Sequence, residues 1–358
     1  MPDIRHSRQA LDETDRRIAA ALMASPRASW RTVALVLDLS ERTIVRRAAP
    51  LLQDGTLRPT AVRNPVHFPR IAPIVLRIRC RPSRIKAIAA GLARRPDTIW
   101  VDILAGGNEI SSVLFLDGSP ARNSLLLRNL PATADVLSWE AYDLMRVFTE
   151  GFSWSGGLLT TEQFDAISPH PTDPVLAPEI QPLDEALIDQ LVINARADYG
   201  ELAARLGTSA STARRRLELL ISARILRLAC EVDLSLLGIA SEALLWIAIG
   251  PGGLEAAGNT LSQHPQVRFT AATTGSANLL VAVAAEDLGG LYTFLTGVVG
   301  SLEDIRGLEV TPILHSVKRT GLFRQSELRS QPSGGGGHRR REIVFWGRSG
   351  PDGAGIAA

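Results

Sequence analysis

The clearest indication of the fold comes from the stretch Ser40-Glu41-Arg42-Thr43-Ile44-Val45-Arg46-Arg47-Ala48-Ala49-Pro50-Leu51. Its first residue, a serine, is a typical helix cap, and Ile44, Ala48 and Leu51 recur at the spacing that puts them on one face of a helix. The other side of that helix carries arginines and a threonine. A short basic helix that follows a tight turn is typical of the probing helix of a helix-turn-helix.

A near-copy of this stretch follows at Ser209-Ala210-Ser211-Thr212-Ala213-Arg214-Arg215-Arg216-Leu217-Glu218-Leu219-Leu220. The spacing between the copies is constant. The residues Ala203, Ser209, Pro265 and Gly275 each lie 169 positions after their counterparts Ala34, Ser40, Pro96 and Gly106. A gapless register of this length indicates an internal duplication.

Each copy is predicted to begin with three short helices. In the first copy Leu11, Ile18 and Leu22 recur at helical spacing, Ser29 can cap a second helix, and Gly55 ends the third. Residues 57–63 then resemble the wing of a winged helix-turn-helix, in which Arg58 and Arg63 could add phosphate contacts.

The segment after each wing changes its hydrophobic period. Alternating apolar residues predict strands and two amphipathic stretches predict helices, in the order β-α-β-β-α-β. That order is typical of a ferredoxin-like layer of helices on an antiparallel sheet. The prediction is therefore an α+β chain. It contains two winged helix-turn-helix domains and two ferredoxin-like domains of the dimeric α/β-barrel type, arranged as an internal duplication.

Composition divides the chain further. The predicted parts are a first winged domain at 1–64, a first ferredoxin-like domain at 70–149, a Gly- and Pro-rich linker at 150–182, a second winged domain at 183–232, a second ferredoxin-like domain at 240–320 and a disordered tail at 321–358. The tail is predicted to be disordered because its Gly, Ser and Arg content cannot bury enough apolar surface to fold alone.

Bulk properties exclude several classes of protein. The chain has 358 residues, a net charge of +2 and two cysteines, so it has no disulfide framework and a reducing, cytoplasmic setting is expected. No apolar run approaches the roughly 20 residues that span a bilayer, and the N-terminus does not resemble a signal peptide. Its six histidines do not cluster. We therefore expect no metal, no cofactor and no membrane partner.

Several motifs together resemble the Lrp/AsnC family of transcriptional regulators. They are Leu-Asp-x-x-Asp-x-x-Ile at 11–18, Arg27-Ala28-Ser29, Val33-Ala34, Leu39-Ser40 and Arg46-Arg47, followed by the β-α-β-β-α-β segment. The resemblance implies a DNA-binding N-terminal domain and a C-terminal domain that pairs and often senses an amino acid. It also implies that this chain is two family units in tandem, which would form a pseudo-dimer within one chain and then a homo-oligomer.

The resemblance and the residue chemistry together predict the functional residues. Guanidinium groups on a probing helix can bridge phosphates or pair with guanine, so double-stranded DNA is the predicted partner. The predicted DNA-binding residues are Arg42, Thr43, Arg46 and Arg47 in the first copy and Ser211, Thr212, Arg214 and Arg215 in the second. A solvated basic helix face is the simpler alternative.

A small-molecule effector such as an amino acid is predicted at two glycine turns. Backbone N–H groups of such turns can hold a carboxylate, although glycine also serves an ordinary hairpin. The predicted effector residues are Gly106, Gly107, Asn108 and Glu109 in the first copy and Gly275, Ser276 and Asn278 in the second. The family has Gly-x-x-Asp here, and Glu109 and Asn278 replace its aspartate.

Three functions remain open from the sequence. The first is a sequence-specific DNA-binding regulator that is not an enzyme. The second is an enzyme like the paired sirohaem decarboxylases, which share this architecture. Such a site needs histidine and basic residues in the ferredoxin-like domains, whereas the strands there carry Trp100-Val101-Asp102 and Arg268-Phe269-Thr270. The third is a structural protein with degenerate helix-turn-helix units.

Overall fold

A computed structural model describes residues 10–151, 154–168 and 177–324. The first copy contains α1 (Glu13–Ala24), α2 (Trp30–Leu37), α3 (Glu41–Gln53), β1 (Arg58–Arg63), β2 (Ile71–Cys80), α4 (Ile85–Arg94), β3 (Thr98–Leu104), β4 (Glu109–Asp117), α5 (Gly118–Ser124, continued by a π-helical turn at Leu125–Asn129) and β5 (Val136–Thr149). Then come α6 (Thr161–Ile167) and the second copy. It contains α7 (Pro182–Ile193), α8 (Tyr199–Leu206), α9 (Ala210–Ser222), β6 (Leu226–Glu231), β7 (Ser241–Ile249), α10 (Leu254–Ser262), β8 (Val267–Thr273), β9 (Leu279–Ala285), α11 (Leu288–Thr293, continued by a π-helical turn at Phe294–Val298), β10 (Ile305–Arg319) and β11 (Leu322–Phe323).

Side-chain caps fix where the probing helices begin. The hydroxyl oxygen of Ser40 accepts the backbone N–H of Thr43, and that of Ser209 accepts the N–H of Thr212. The preceding turns need a left-handed residue. Gly207 takes that conformation at φ +63°, whereas the first copy uses Asp38 at φ +54°, because aspartate tolerates left-handed backbone better than most side chains.

The strand after each three-helix unit pairs with the other copy. Strands β1 and β6 form an antiparallel two-stranded sheet from Arg58 opposite Glu231 to Arg63 opposite Leu226. Ala61 of β1 is buried in the hydrophobic core of the second helix-turn-helix, and Cys230 of β6 in the core of the first. The segment predicted to be a wing at 57–63 is a single strand in this unit, and the partner of this strand lies in the other copy.

The two ferredoxin-like units close into one barrel. Their strands form a single antiparallel sheet in the order β11-β10-β3-β4-β2-β5-β8-β9-β7, and β10 also pairs with β7. The β5–β8 and β10–β3 pairs join the copies. The predicted α+β class, the two ferredoxin-like sheets and the duplication are thus confirmed.

Alternation along the strands divides the barrel into an inner and two outer cores. On β2, Leu76 belongs to the outer core beneath α4 and α5, and Val75 belongs to the inner core. The long strands also cross into the other copy: Phe148 of β5 packs in the outer core of the second copy, and Val317 of β10 packs in that of the first. Phe148 lies so close to α10 that a Cβ at Gly258 would stand 2.4 Å from its ring.

Part of the predicted linker and the first residues of the predicted tail are folded and pack on the rest of the protein. Within 150–182, α6 packs on α1 and α2, and Trp154, Leu159 and Ile167 are buried in the core of the first helix-turn-helix. Apolar residues there offset the entropy of ordering the backbone. At the other boundary, Leu322 pairs with Arg319 of β10. Residues 325–358 of the predicted tail lie outside the described residues.

Candidate nucleic-acid interface and effector turns

The outer faces of the two probing helices, α3 and α9, are open to solvent. Arg42 and Arg46 are exposed on α3, while Ile44, Ala48 and Leu51 are buried beneath them. On α9 the residues Ser211, Arg214 and Arg215 are exposed, and Arg214 forms an ion pair with Glu218 one turn later. Thr43 and Thr212 are half-buried, and their hydroxyls hydrogen-bond the capping serines.

Arg47 points away from the outer face of α3. Its guanidinium contacts the carboxylates of Asp12 and Asp15, with Nε 2.8 Å from Asp15 Oδ1. Arg216, its counterpart in the second copy, contacts Asp184 in the same way, with Nε 2.7 Å from Oδ1. Neighbouring carboxylates raise the pKa of Arg47. These repeated ion pairs tie each probing helix to the first helix of its unit. Arg47 was predicted to be a DNA-binding residue, and its pairing with Asp12 and Asp15 was not predicted from the sequence.

The exposed faces of α3 and α9 differ in chemistry. In the first two turns the shared residues are Thr43 with Thr212 and Arg46 with Arg215, whereas the exposed pairs that differ are Glu41 with Ala210, Arg42 with Ser211 and Val45 with Arg214. The two faces therefore share one exposed arginine and carry different hydrogen-bond donors at the positions around it. Different donor sets favour different base edges in the major groove.

The two wing arginines are occupied by the protein. Arg63 contacts the carboxylates of Glu185 and Asp189 on α7, with Nη2 3.1 Å from Asp189 Oδ1. Arg58 donates to the carbonyl of Phe323 at 2.6 Å, and burial lowers the pKa of this guanidinium. The possible phosphate contacts of the wing are therefore replaced by contacts between the copies and with the barrel.

Reciprocal arginines join the two helix-turn-helix units. Arg27 Nη1 donates to the carbonyls of Ala195 and Ala197 at 2.6 and 2.8 Å. Arg196 Nη1 donates to those of Pro26 and Ala28 at 2.7 and 3.0 Å. Each guanidinium also lies over an aromatic ring of the other unit, Arg27 over Tyr199 and Arg196 over Trp30. Charge-assisted bonds and cation–π contacts of this kind hold the units in one relative orientation.

The predicted effector turns lie at one end of the barrel. Gly106, Asn108, Gly275 and Ser276 are exposed, and Gly107 is half-buried at φ +65°. The remaining two side chains are already engaged. Glu109 is buried and pairs with Arg77, and the amide of Asn278 bonds both the N–H and the C=O of Ile249, at 2.9 and 2.8 Å.

Arg77 crosses the barrel at the same end. It donates to both carboxylate oxygens of Glu309 at 2.9 and 2.7 Å and lies 4.6 Å from the ring centroid of Trp246. Trp246 stands 169 residues after Arg77, at the equivalent position. The second copy therefore has no matching arginine at this position, and Glu140, the counterpart of Glu309, accepts a hydrogen bond from the Tyr142 hydroxyl.

A second charged cluster is buried at the barrel end that faces the β1–β6 sheet. Glu242 contacts Arg268 and Arg319 at 2.7 Å each. Burial raises the pKa of Glu242, but the charges of Arg319 and Arg268 outweigh burial and hold the pKa at about 2. Burial raises the pKa of Asp102, whose carboxylate lies 3.7 Å from Arg319. This cluster was not predicted from the sequence, because Arg319 lies on β10, far from Glu242 and Arg268 along the chain.

Comparison with known proteins agrees with this architecture. The AsnC-type helix-turn-helix domain matches residues 11–52 and again 182–221, and the Lrp/AsnC ligand binding domain matches residues 242–323. The chain therefore contains two AsnC-type helix-turn-helix domains and an Lrp/AsnC ligand-binding domain. Two family relatives are uncharacterized HTH-type transcriptional regulators. The one from Pyrococcus horikoshii is 26% identical over 147 residues, which is 41% of this chain and 92% of that protein. The one from Pyrococcus furiosus is 28% identical over 143 residues, 40% of this chain and 96% of that protein.

The whole tandem arrangement also has a structural counterpart. The crystal structure of the siroheme decarboxylase NirDL matches 88% of this chain and 96% of its own, with a TM-score of 0.54 and 10% sequence identity. At that identity the match shows a shared fold. Two further findings concern the described residues: none of their helices is long and apolar enough to cross a membrane, and they contain no group of three or more His, Cys, Asp or Glu side chains placed to hold a metal ion.

Two sets of contacts were not predicted from the sequence: the ion pairs within each helix-turn-helix unit and the arginine contacts between the two units. Arg27 and Arg196, Asp15 and Asp184, and Arg47 and Arg216 are each identical pairs 169 residues apart. That repetition was a usable signal, because a polar residue kept at the same place in both halves of a diverged duplication has a role common to both. The Arg77–Glu309 contact offered no such signal, since its counterparts are Trp246 and Glu140.

Proposed function

We propose that this Lrp/AsnC chain is a sequence-specific transcriptional regulator that binds one operator with α3 and α9 together. The observation that carries the proposal is the pairing of two exposed probing helices within one chain. The β1–β6 sheet and the reciprocal Arg27 and Arg196 contacts fix their relative orientation. Two such helices contact half-sites about one DNA turn apart, or a multiple of one turn.

The set of residues proposed to contact DNA is smaller than the set predicted from the sequence. Arg42 and Arg46 on α3 and Ser211, Arg214 and Arg215 on α9 are exposed and free to turn toward DNA, with Arg214 able to exchange Glu218 for phosphate. Thr43 and Thr212 lie at the helix N-termini, where N–H groups and hydroxyls suit a phosphate. Arg47 is proposed to act indirectly, by fixing α3 on α1.

The operator is proposed to be an imperfect palindrome. Arg46 and Arg215 are equivalent, so both half-sites would share the base pair or phosphate that this arginine contacts. The neighbouring positions carry Arg42 and Val45 in one helix and Ser211 and Arg214 in the other. Since the donors differ, the preferred bases beside the shared contact should differ too.

DNA footprinting of the full chain tests the proposal. Purified protein is titrated onto the promoter regions of its own and adjacent genes at several salt concentrations. We expect two protected patches on one face of the duplex and an affinity that falls steeply with salt, because phosphate contacts release counterions. Absence of salt-dependent protection on every fragment, in protein that is folded by circular dichroism, contradicts the proposal.

A small-molecule effector is proposed at the first-copy turn, where Gly106, Gly107 and Asn108 remain accessible. Their backbone N–H groups suit a carboxylate, whereas the Glu109 side chain serves Arg77 instead. A thermal-shift screen of amino acids, repeated on Asn108→Pro, tests this site. The effector proposal predicts a stabilised wild type and a variant that does not respond. Assembly into a homo-oligomer, expected from the family, stays a prediction.

An enzyme of the siroheme decarboxylase type is the second candidate, favoured by the full-length structural match to NirDL. Against it, the inner core of the described barrel holds aromatic rings and arginines that already have carboxylate partners, Arg77 with Glu309 and Arg319 with Glu242. Substrate carboxylates would have to displace these partners. Incubation with sirohaem separates the candidates, because a spectral change with release of CO₂ would support the enzyme.

A further inference from the structure

A groove opens on the outer surface of the first ferredoxin-like unit. It lies between α4 and the π-helical turn that continues α5, with a volume of about 370 Å³. Its lining includes Ile88, Gly91, Leu92, Leu125 and Leu130. This volume is within the range of roughly 300–1,000 Å³ that is typical of small-molecule sites.

The second unit carries different residues at the equivalent positions, and two of them are bulkier. Phe294 stands where the first unit has Leu125, and Leu302 where it has Thr133. Phe294 is buried and packs edge-on against His264, with ring centroids 4.9 Å apart. His264 in turn occupies the position of Arg95, which lines the groove. The duplication has thus diverged at this place in both volume and charge.

Basic side chains outnumber acidic ones around the groove, and its lining includes the carboxylate of Asp135. Residues 81–95 contain five basic side chains and no acidic one, and residues 118–134 contain two basic side chains and no acidic one. The equivalent segments of the second unit, 250–264 and 287–303, contain three acidic side chains and no lysine or arginine. Arg84 and Arg95 line the groove itself.

Part of this positive charge is balanced by neighbouring acids. Arg95 pairs with Asp97 at 2.7 Å, and Arg84 and Arg81 share the single carboxylate of Asp135 at 3.0 and 3.8 Å. Two guanidinium groups on one carboxylate leave a positive excess at the end of the groove. The Arg84 side chain is 60% exposed, so it can reach a ligand without losing a buried contact.

We propose that this groove binds an organic anion with an apolar body, such as a medium-chain or aromatic carboxylate. The apolar body would lie on the floor formed by Ile88, Leu92 and Leu125, and the carboxylate would meet Arg84 at the rim. Such a site goes beyond DNA binding and does not depend on it. Burial of apolar surface supplies affinity, and the charged hydrogen bond supplies the preference for an anion.

Binding of decanoate and 1-decanol to the full chain, measured by calorimetry below their aggregation limits, tests the proposal. The two probes share an apolar chain and differ in charge. We expect decanoate to bind roughly tenfold more tightly, because its carboxylate can accept a charge-assisted hydrogen bond from Arg84 and the neutral alcohol cannot. Arg84→Gln should reduce that ratio to near one.

A matched pair of glycine variants tests the location. A Cβ at Gly91 would meet only Arg94 Nη2, at 3.8 Å, and one at Gly297 would meet no atom within 4 Å. Gly91→Leu places a side chain in the groove, whereas Gly297→Leu places one on the exposed π-helical turn of the second unit. We expect Gly91→Leu to weaken decanoate binding at least about tenfold and Gly297→Leu to leave it unchanged, with both variants folded by circular dichroism.

Three outcomes would overturn the proposal. One is absence of decanoate binding to wild-type protein. Another is equal binding by Gly91→Leu and wild type. In the third, light scattering shows that Gly91→Leu dissociates an oligomer, in which case the groove is an interface between copies of the chain.

Discussion

Arg27 and Arg196 make the same contacts in opposite directions. Each lies at the same position of its helix-turn-helix unit and donates to two backbone carbonyls of the other, at distances between 2.6 and 3.0 Å. Burial, followed by the nearby charge of Arg27, lowers the pKa of Arg196 to about 10. The Arg196 guanidinium therefore stays charged at neutral pH. Four hydrogen bonds from the two guanidinium groups hold the two units together.

Removing either arginine should therefore loosen the pair. We expect Arg27→Ala or Arg196→Ala to lower the free energy of unfolding by about 2–3 kcal/mol, because each substitution leaves two backbone carbonyls without their charged hydrogen-bond donor. Binding to a two-half-site operator should weaken more than binding to a single half-site, since the helices lose their fixed orientation. Urea unfolding and gel-shift titrations measure the two effects.

Arg205→Ala is the control for this prediction. Arg205 is half exposed and pairs only with neighbours on its own unit, Glu201 and Gln190, among the contacts described. An exposed pair of this kind contributes about 0.3–0.5 kcal/mol. Equal losses for Arg205→Ala and Arg27→Ala would show that the contacts between units contribute nothing special.

Arg46 and Arg215 should act on different half-sites. Arg46→Ala is expected to remove protection over one half-site and Arg215→Ala over the other, and each should reduce the slope of log affinity against log salt by about one. Footprinting at two salt concentrations measures both quantities. Arg306→Ala, on the exposed surface of the barrel, is the matched control. Loss of protection over the same base pairs in both variants would contradict the divided site.

Much of the fold was predictable because the helices and strands follow from patterns among residues that are close in sequence. The capping residues Ser40 and Ser209, the alternation along β2 and the constant spacing of 169 residues each depend on neighbours in sequence. The exchange of β1 and β6 was not predictable, since a strand pattern does not identify its partner. The same reason hid the partners of the wing residues Arg58 and Arg63.

The candidate site was predicted in outline and missed in detail. The exposed arginines Arg42, Arg46 and Arg215 follow from the helical face opposite Ile44 and Leu217. Arg47 also looked exposed by spacing, but Asp12 and Asp15 from α1 pair with it. Buried charges such as Glu242 and Arg319 escaped detection because only tertiary packing brings β7 and β10 together.

Three substitutions should give the first two turns of α3 the exposed side chains of α9. Glu41→Ala, Arg42→Ser and Val45→Arg give α3 the exposed side chains of Ala210, Ser211 and Arg214. We expect the triple variant to prefer a symmetrical operator made of two α9-type half-sites, because both helices then present the same donors. Selection from a randomised duplex library measures the preference. Selection of the wild-type, asymmetric operator by the variant would show that these three positions do not determine specificity.

Glu242 should carry a large share of the stability of the barrel. Glu242→Gln leaves Arg268 and Arg319 buried without their shared carboxylate, so we expect the free energy of unfolding to fall by about 3–5 kcal/mol at pH 7. Thermal or urea unfolding measures this loss. Glu255→Gln is the control, because Glu255 forms an exposed pair with Arg146. A loss below 1 kcal/mol for Glu242→Gln would mean that the cluster is balanced without the carboxylate.

The same carboxylate predicts a direction for the pH dependence. The folded pKa of Glu242 is about 2, below its ordinary value of 4.5. Its stabilisation is therefore complete above the unfolded pKa and is lost as pH falls from about 4.5 toward 2. Asp102 works in the opposite direction, because its raised pKa lets the folded state bind a proton more readily than the unfolded state. The stability gap between wild type and Glu242→Gln isolates the first effect from the second. We expect that gap to shrink steadily below pH 4.5, and a constant gap down to pH 2.5 would contradict the assignment.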